Sequence, residues 1–356
     1  MTKILIMAGG TGGHVFPALA VADNLNARGH QVFWMGTARG IEAKLVPVAG
    51  YPLTYISVQG LRGNGLLGWL LAPFKLIKAV YEALVAIRKI KPDVVLGLGG
   101  FASGPGGVAA WLLTKPVVIH EQNAIAGLTN NLLSRIAKRV LAGFADSFPT
   151  SRHAKWLGNP VRDSIETLAL PEQRFADRTG AIRVLVLGGS LGAKTLNTLL
   201  PQGFASLNVE LELRHQCGTR HLEDCRANYQ QANVSVEVTD FIDDMAAAYA
   251  WADLVICRAG ALTIAELSAA GVGSLLVPYP YAVDDHQTHN AQALVNVGAA
   301  QIVQEAGLTV ESLSHIVQQL ISNRSALLTM AIAARSQAKV GAAEHIANIC
   351  LETAYG

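Results

Sequence analysis

The sequence predicts an α/β fold with two Rossmann-like domains, each a doubly wound parallel sheet, that face each other across a cleft. Twice, at 3–13 and at 183–193, an apolar run ends in a glycine-rich turn, as when a buried parallel strand leads into a helix. The length of 356 residues fits two domains. Glycines let backbone N–H groups approach an anion at a helix N-terminus, so we expect ligand chemistry in the cleft.

Strand-like runs alternate with helical stretches in both halves, which is the pattern of a parallel sheet covered by helices. In the first half, strands are predicted at 3–8, 31–35, 94–97, 117–120 and 139–142. In the second half, they begin at Arg183 and follow at 210–215, 234–238, 254–257 and 274–278.

Glycine and proline interrupt residues 158–162, which predicts a linker there. We therefore expect one domain at 1–161 and a second at 162–340. The remaining C-terminal segment, 341–356, is expected to form a helix that packs back on the first domain.

The charge is distributed unevenly along the chain. Residues 1–161 contain 16 Lys and Arg against 6 Asp and Glu, a net charge of +10, whereas residues 162–356 contain 12 against 20, a net charge of −8. A basic half fits nucleic acid, anionic lipid or an anionic substrate. Because no nucleic-acid motif or aromatic-basic interleaving occurs, we expect no nucleic-acid partner.

Cysteine usage and hydropathy indicate the compartment. The four cysteines show no Cys-x-x-Cys spacing, which favours a reducing cytosol over a disulfide framework. The N-terminal apolar run is too short for a signal peptide, and no stretch approaches the ~20 apolar residues of a membrane span. We therefore expect a soluble or peripheral protein.

One predicted helix, around 66–78, carries an apolar stripe with lysines beside it. The stripe contains Leu70, Phe74, Ile77 and Tyr81, and the adjacent cations are Lys75 and Lys78. Such a stripe fits a helix packed on the sheet or a patch that binds an anionic membrane surface. The pattern alone favours packing, whereas the basic excess of this half favours the membrane.

The first glycine cluster differs from a dinucleotide-binding fingerprint. That fingerprint requires glycine where this chain has Val15, and an acidic residue after the second strand, where it has Met35-Gly36-Thr37. A nicotinamide or flavin is therefore not expected. His14, at the start of the following helix, is a candidate general base, with a capping or hydrogen-bonding role as the alternative.

Residues 120–123, His-Glu-Gln-Asn, end another predicted strand, at the sheet edge where α/β proteins bind ligands. Glu121 is a candidate base or a residue that orients the base. The structural alternative for Asn123 is a cap on the next helix.

The segment 257–266 predicts a strand, a glycine turn and a helix that carries Glu266. Its carboxylate can accept two adjacent sugar hydroxyls, as on a nucleotide ribose, and the alternative is a solvated surface glutamate. Asp285, His286 and His289 lack a further ligand for a metal. The chain also has no Asp-x-Asp motif, so we expect no metal and no cofactor. We expect the negative charge of a bound diphosphate to be balanced by loop amides and Arg162.

Together these motifs closely resemble MurG-type N-acetylglucosaminyltransferases, in order along nearly the whole chain. The matching segments are 9–14, 92–93, 97–100, 120–123, 158–162, 188–190, 257–266 and 284–291. The resemblance implies a GT-B fold and an inverting hexosyltransferase. Its implied reaction moves GlcNAc from UDP-GlcNAc to the MurNAc 4-hydroxyl of undecaprenyl-pyrophosphoryl-MurNAc-pentapeptide (lipid I), which gives lipid II for peptidoglycan synthesis.

The resemblance also implies site residues. For UDP-GlcNAc these are Thr11, Gly12, Gly13, Asn123, Arg162, Ser190, Ile242, Ala261, Leu262, Thr263, Ile264, Ala265, Glu266 and Gln287. In that family, backbone groups near Ile242 contact the uracil and Glu266 contacts the ribose. The Ser190 loop contacts the diphosphate, and His14 is the usual candidate base. Family members commonly have tyrosine where this chain has Phe101, so any contact from that hydroxyl is absent.

The implied partners are UDP-GlcNAc, lipid I, an anionic membrane surface, and other cell-wall synthesis and division proteins. The implied location is the cytoplasmic face of the cell membrane, with the first domain facing acceptor and membrane and the second holding the donor. Two alternatives stay open: a UDP-GlcNAc 2-epimerase, which needs no lipid-facing patch, and a non-catalytic nucleotide-sugar-binding membrane scaffold.

Overall fold

The structure is a computed structural model that describes residues 1–58, 65–189 and 192–356, and for 65–70 the backbone alone. Its residues form two compact units. The first contains Met1–Val161 and Gly341–Gly356, and the second contains Arg162–Val340.

In its described part, the first unit is a parallel sheet of seven strands with helices. The strands are β1 Lys3–Ala8, β2 Gln31–Gly36, β3 Leu53–Tyr55, β4 Val94–Gly99, β5 Val117–Glu121, β6 Arg139–Ala142 and β7 Lys155–Trp156. The helices are α1 Gly12–Ala27, α2 Glu42–Val48, α3 Gly65–Ile90, α4 Ser103–Leu112, α5 Leu128–Leu133 and the C-terminal α15 Ala342–Tyr355. The strand order β3-β2-β1-β4-β5-β6-β7 reverses direction between β1 and β4, where α/β sheets bind ligands.

Successive side chains of β1 belong to different apolar clusters. Ile4 and Ile6 pack with residues of α1 and α15, and Leu5 and Met7 pack with residues of α3 and α4. All four side chains are fully buried, each stabilising the fold by about 1.5–3 kcal/mol. Because both faces of the sheet are covered, the strand is apolar throughout rather than alternating.

The second unit repeats this plan. Its described strands are β8 Ile182–Leu187, β9 Leu211–Gln216, β10 Glu237–Thr239, β11 Leu254–Cys257, β12 Gly273–Leu276 and β13 Ala300–Ile302, in the parallel order β10-β9-β8-β11-β12-β13. Its helices are α6 Asp163–Glu166, α7 Pro171–Phe175, α8 Lys194–Ala205, α9 Leu222–Gln231, α10 Met245–Trp251, α11 Ala261–Ala270, α12 His286–Val295, α13 Val310–Ile321 and α14 Arg324–Ser336. The order reverses between β8 and β11. Two parallel-sheet, Rossmann-like units confirm the predicted fold class.

The local differences from prediction lie at sheet edges and at one loop. Strands β3, β7 and β13 were not predicted, because two or three residues at an edge carry little periodic signal. The strand predicted at 234–238 was wrong in its bounds, since only Glu237–Thr239 pairs with β9. Residues 158–161 of the predicted linker are buried.

Candidate functional site

The first glycine loop lies at the carboxyl end of β1, beside the reversal of strand order. Gly10 has a φ of +89°, a left-handed conformation that glycine adopts without steric cost. Thr11 is the N-cap of α1. The helix N-terminus at Gly12 and Gly13 therefore offers backbone N–H groups and a positive dipole end to an anion.

Glu42, at the start of α2, anchors this loop and was not among the predicted site residues. Its buried carboxylate accepts hydrogen bonds from the Gly10 N–H (2.9 Å), the Thr37 N–H (2.9 Å) and the Thr37 hydroxyl (2.7 Å). A Cβ on Gly9 or Gly36 would overlap the Glu42 side chain. The two glycines are the signal in the sequence for this buried side chain, and the acid lies six residues after β2 rather than directly after it.

His14 lies in the first turn of α1 and is half-buried. Its imidazole packs over Gly99, where a Cβ would approach the ring to 2.8 Å, and Gly99 has a φ of +102°. His14 Nδ1 lies 2.8 Å from Gln122 Oε1. The structure therefore brings together two predicted motifs of the first unit, the glycine loop and residues 120–123.

Gln122 and His120 extend this contact into the core, where they are 1% and 0% exposed. Gln122 Nε2 donates to His120 Nδ1 and to the His120 carbonyl, both over 3.1 Å. His120 Nε2–H donates to the Gly158 carbonyl over 2.9 Å. Burial lowers the pKa of His120 to about 4, so this imidazole is neutral at pH 7.

The Glu121 carboxylate is 2% exposed and accepts four hydrogen bonds. The donors are the Asn123 N–H (3.0 Å), Asn123 Nδ2 (3.1 Å), the Gly127 N–H (3.1 Å) and Asn130 Nδ2 (2.9 Å). Four donors fill the acceptor sites of a carboxylate, so the geometry does not fit the base role, and the carboxylate holds Asn123, Gly127 and Asn130 rather than His14. The cap alternative for Asn123 is wrong, since Gly127 is the N-cap of α5.

In the second unit, Glu266 on α11 forms a polar trio with Arg162 and Tyr249. Arg162 NH2 donates to Glu266 Oε1 over 3.2 Å, and the Tyr249 hydroxyl donates to Oε2 over 3.0 Å. The Glu266 side chain is 19% exposed. Burial raises the pKa of Glu266, and the Arg162 charge opposes this rise. The solvated-glutamate alternative is therefore wrong.

The predicted stretch 261–266 forms the first turns of α11, after Gly260 as N-cap. Ala261 and Ile264 are only 7% and 2% exposed, because they pack in the core. Their side chains are therefore unavailable to a ligand. The backbone N–H groups of this first turn remain free of intrahelical partners and can bind one. The partly exposed members are Leu262, Thr263, Ala265 and Glu266.

The turn after β8 is held by Gln216, which was not among the predicted site residues either. Gln216 is 6% exposed, accepts the Gly189 N–H over 3.0 Å, and donates to the Asp240 carbonyl over 2.8 Å. It thereby ties the glycine turn to the segment before Ile242, which is half-buried. Ser190 lies outside the described residues.

Gln287, at the start of α12, joins two further loops. Its Oε1 accepts the N–H groups of Ala259 (3.2 Å) and Tyr279 (2.9 Å), which follow β11 and β12. Nearby, Asp285 and His286 make local hydrogen bonds. Over the described ranges, no group of three or more His, Cys, Asp and Glu is arranged to hold a metal ion.

The stripe on α3 lies in solvent, so its packing alternative is wrong for the members that the structure describes. The helix packs inward through alanines, and the exposed fractions are 71% for Phe74, 67% for Ile77 and 64% for Tyr81. Lys75 and Lys78 are also exposed. The side chain of Leu70 lies outside the described residues. Among the described helices, none is long and apolar enough to cross a membrane.

Comparisons with known proteins agree over the full length. Residues 4–142 match the Glycosyltransferase family 28 N-terminal domain, and residues 183–346 match the Glycosyltransferase family 28 C-terminal domain. A relative from Nitrosococcus oceani is 55% identical over 356 residues, which cover 99% of each chain. It is named UDP-N-acetylglucosamine--N-acetylmuramyl-(pentapeptide) pyrophosphoryl-undecaprenol N-acetylglucosamine transferase.

Solved structures support the same assignment. The crystal structure of Acinetobacter baumannii MurG superimposes with a TM-score of 0.88 at 44% identity, covering 99% of this chain and 100% of that one. A UDP-GlcNAc 2-epimerase from Neisseria meningitidis has a TM-score of 0.65 at 15% identity, with 99% and 100% coverage, which shows a shared fold alone. The chain therefore belongs to glycosyltransferase family 28 and, within it, to the MurG N-acetylglucosaminyltransferases.

Proposed function

We propose that this chain transfers GlcNAc from UDP-GlcNAc to the MurNAc 4-hydroxyl of lipid I, with inversion, and so forms lipid II for peptidoglycan synthesis. The observation that carries the proposal is the full-length relationship to a transferase named for this reaction. The geometry supports it, because each unit has a polar site at its strand reversal, around His14 in the first and Glu266 in the second. No specific observation favours the epimerase or the scaffold.

The proposed chemistry is a single displacement. His14 takes the proton of the MurNAc hydroxyl, and that oxygen bonds to C1 of GlcNAc as the bond from C1 to the UDP oxygen breaks. The electron pair of that bond leaves with UDP. The turn after β8, the N-terminus of α8 and Arg162 stabilise the charge that develops on the diphosphate. Loss of one such preorganised donor typically costs ~100-fold in rate.

The donor site is proposed to form around Glu266. A carboxylate accepts the two ribose hydroxyls, and a diphosphate attracts the Arg162 guanidinium that now contacts Glu266. Backbone near Ile242 would contact the uracil, and N–H groups at the start of α11 would contact the donor. Gln287, Thr11, Gly12, Gly13 and Asn123 complete the proposed donor contacts.

The first unit is proposed to bind the cytoplasmic membrane surface, where lipid I lies, through Phe74 and Ile77 with Lys75 and Lys78. Exposed apolar side chains beside lysines are suited to an anionic bilayer, and each lysine near that surface contributes ~1 kcal/mol. Cell-wall synthesis and division proteins are proposed as further partners at this location. Phe101, 52% exposed, offers the acceptor an apolar ring and no hydroxyl.

The test is UDP release from UDP-GlcNAc, with and without a short-chain lipid I analogue, with the sugar product identified by mass. Release that depends on the acceptor and yields a disaccharide lipid is the expected result. Release without acceptor, accompanied by free ManNAc, would instead establish the epimerase. UDP binding with no product would establish a binding protein.

A further inference from the structure

A continuous series of hydrogen bonds leads from His14 into the core of the first unit. It passes from His14 Nδ1 to Gln122 Oε1 (2.8 Å), from Gln122 Nε2 to His120 Nδ1 (3.1 Å), and from His120 Nε2 to the Gly158 carbonyl (2.9 Å). The two middle side chains are almost wholly buried. Buried polar groups of this kind hold fixed partners, so each proton in the series has a determined position.

The inner end of the series fixes the tautomer of His120. The Gly158 carbonyl can only accept, so His120 Nε2 carries the hydrogen. Neutral His120 then has its lone pair on Nδ1, where Gln122 Nε2 donates. The second hydrogen of this amide nitrogen is used by the His120 carbonyl at 3.1 Å.

The orientation of the Gln122 amide in turn fixes His14. With Nε2 committed to two acceptors on His120, Oε1 faces His14 and can only accept, so His14 Nδ1 carries the hydrogen. The opposite amide orientation would set Oε1 against the His120 carbonyl. It would also require hydrogens on both His120 nitrogens, which is a positive charge on a fully buried ring.

We propose that Gln122 and His120 are positioning residues that hold His14 in the tautomer with Nδ1 protonated, which makes Nε2 the atom that accepts the sugar hydroxyl proton. This inference rests on the proposed function. Free imidazole side chains in water favour the other tautomer, with the hydrogen on Nε2, so the protein must impose this one. After proton transfer, the Nδ1–H of His14 still donates to Gln122, and the hydrogen bond is kept throughout the reaction.

The first test is independent of activity. In the wild-type chain with ¹⁵N-labelled histidine, the ¹⁵N shifts of neutral His14 should show a protonated Nδ1 and an unprotonated Nε2, and those of His120 the reverse. Spectra of His14→Ala and His120→Gln assign the signals. Neutral His14 with its hydrogen on Nε2 would overturn the proposal, whatever the enzyme assay shows.

The second test alters Gln122. Gln122→Met removes both the acceptor and the donor, so His14 should populate both tautomers, and kcat should fall about 10- to 100-fold while KM for UDP-GlcNAc stays within about twofold. Gln122→Glu keeps an acceptor for His14 Nδ1, so it should retain the wild-type His14 tautomer. Its carboxylate also favours the imidazolium, so the acid limb of the kcat–pH profile should move to higher pH.

A purely structural role for Gln122 predicts a different result. Gln122→Met would then lower the melting temperature but leave the His14 tautomer and kcat unchanged, which would overturn the proposal. Thr353→Val, a buried hydroxyl in α15 that bonds only locally, is the matched control for lost stability. If Gln122→Met does not fold, the wild-type spectra and the Gln122→Glu variant still test whether His14 is held with Nδ1 protonated. Wild-type chain that makes no lipid II would refute the proposed function instead.

Discussion

The Tyr249 hydroxyl donates to one oxygen of Glu266 over 3.0 Å, while the Arg162 guanidinium contacts the other oxygen at 3.2 Å. Tyr249 is fully buried, and burial raises its pKa well above the usual value, so it stays protonated as a donor. A neutral donor fixes the plane of the carboxylate without cancelling its charge. Tyr249 thereby orients the group that we propose accepts the ribose hydroxyls.

Replacing Tyr249 with phenylalanine should weaken donor binding. Loss of a hydrogen bond to a charged group costs about 1.5–3 kcal/mol, so KM for UDP-GlcNAc should rise about 10- to 150-fold with little change in kcat. Glu266→Ala should raise KM further. The matched control is Tyr229→Phe, another buried tyrosine of this unit, which bonds His215 and should leave KM unchanged. An unchanged KM in Tyr249→Phe would remove Tyr249 from this role.

Replacing His14 with alanine should slow turnover by about 100-fold or more, because a general base is lost. UDP binding, measured by calorimetry, should stay close to that of the wild type. His345→Ala on α15 serves as the control histidine. A His14→Ala enzyme with wild-type kcat would show that another group takes the proton.

Replacing both Phe74 and Ile77 with serine should reduce binding to anionic vesicles by at least about 10-fold, since each buried apolar side chain contributes about 1.5–3 kcal/mol. Affinity for UDP should not change. Val48, an apolar residue of α2 that is 87% exposed, provides the control Val48→Ser. Sedimentation with vesicles measures the effect, and persistent binding by the double variant would exclude these side chains from the membrane contact.

Replacing Glu42 with glutamine should destabilise the first unit by about 1–3 kcal/mol, because the amide oxygen can still accept from Thr37 but the amide NH2 is then set against the Gly10 N–H. Urea unfolding measures this loss. Glu210→Gln, at an exposed position, should stay within about 0.5 kcal/mol of the wild type. A Glu42→Gln change as small as that of the control would show that the carboxylate does not anchor the loop.

Stability should fall on acidification through His215. Burial lowers the pKa of His215 to about 3 from its usual 6.5, so between these values the unfolded chain binds a proton that the folded chain does not. The stabilisation is complete above pH 6.5 and is lost as pH falls towards 3, by about 2 kcal/mol between pH 7 and pH 5. In urea titrations, the loss of unfolding free energy between pH 7 and pH 5 should be about 2 kcal/mol smaller for His215→Gln than for the wild type. A variant that loses as much stability as the wild type would contradict the prediction.

Local patterns in the sequence predicted the strands that carry the site and the turns that follow them. The apolar runs at 3–8 and 254–257 are visible because a strand buried on both faces carries few polar residues. The glycines after them mark close backbone approach. His14 was identified because it directly follows such a turn, and Glu266 because it lies on the helix that begins after one. The edge strands were missed because they are too short to show a period.

The sequence by itself thus determined the two-sheet fold and the family, since these depend on order and spacing along the chain. Tertiary structure alone decided that Glu42, Gln216 and Tyr249 support the site and that the α3 stripe is exposed. It also decided that Glu121 is saturated by donors and that Gln122 contacts His14. These properties depend on partners distant in the chain, as with Gln122, 108 positions from His14, and on burial, which assigns each donor its acceptor.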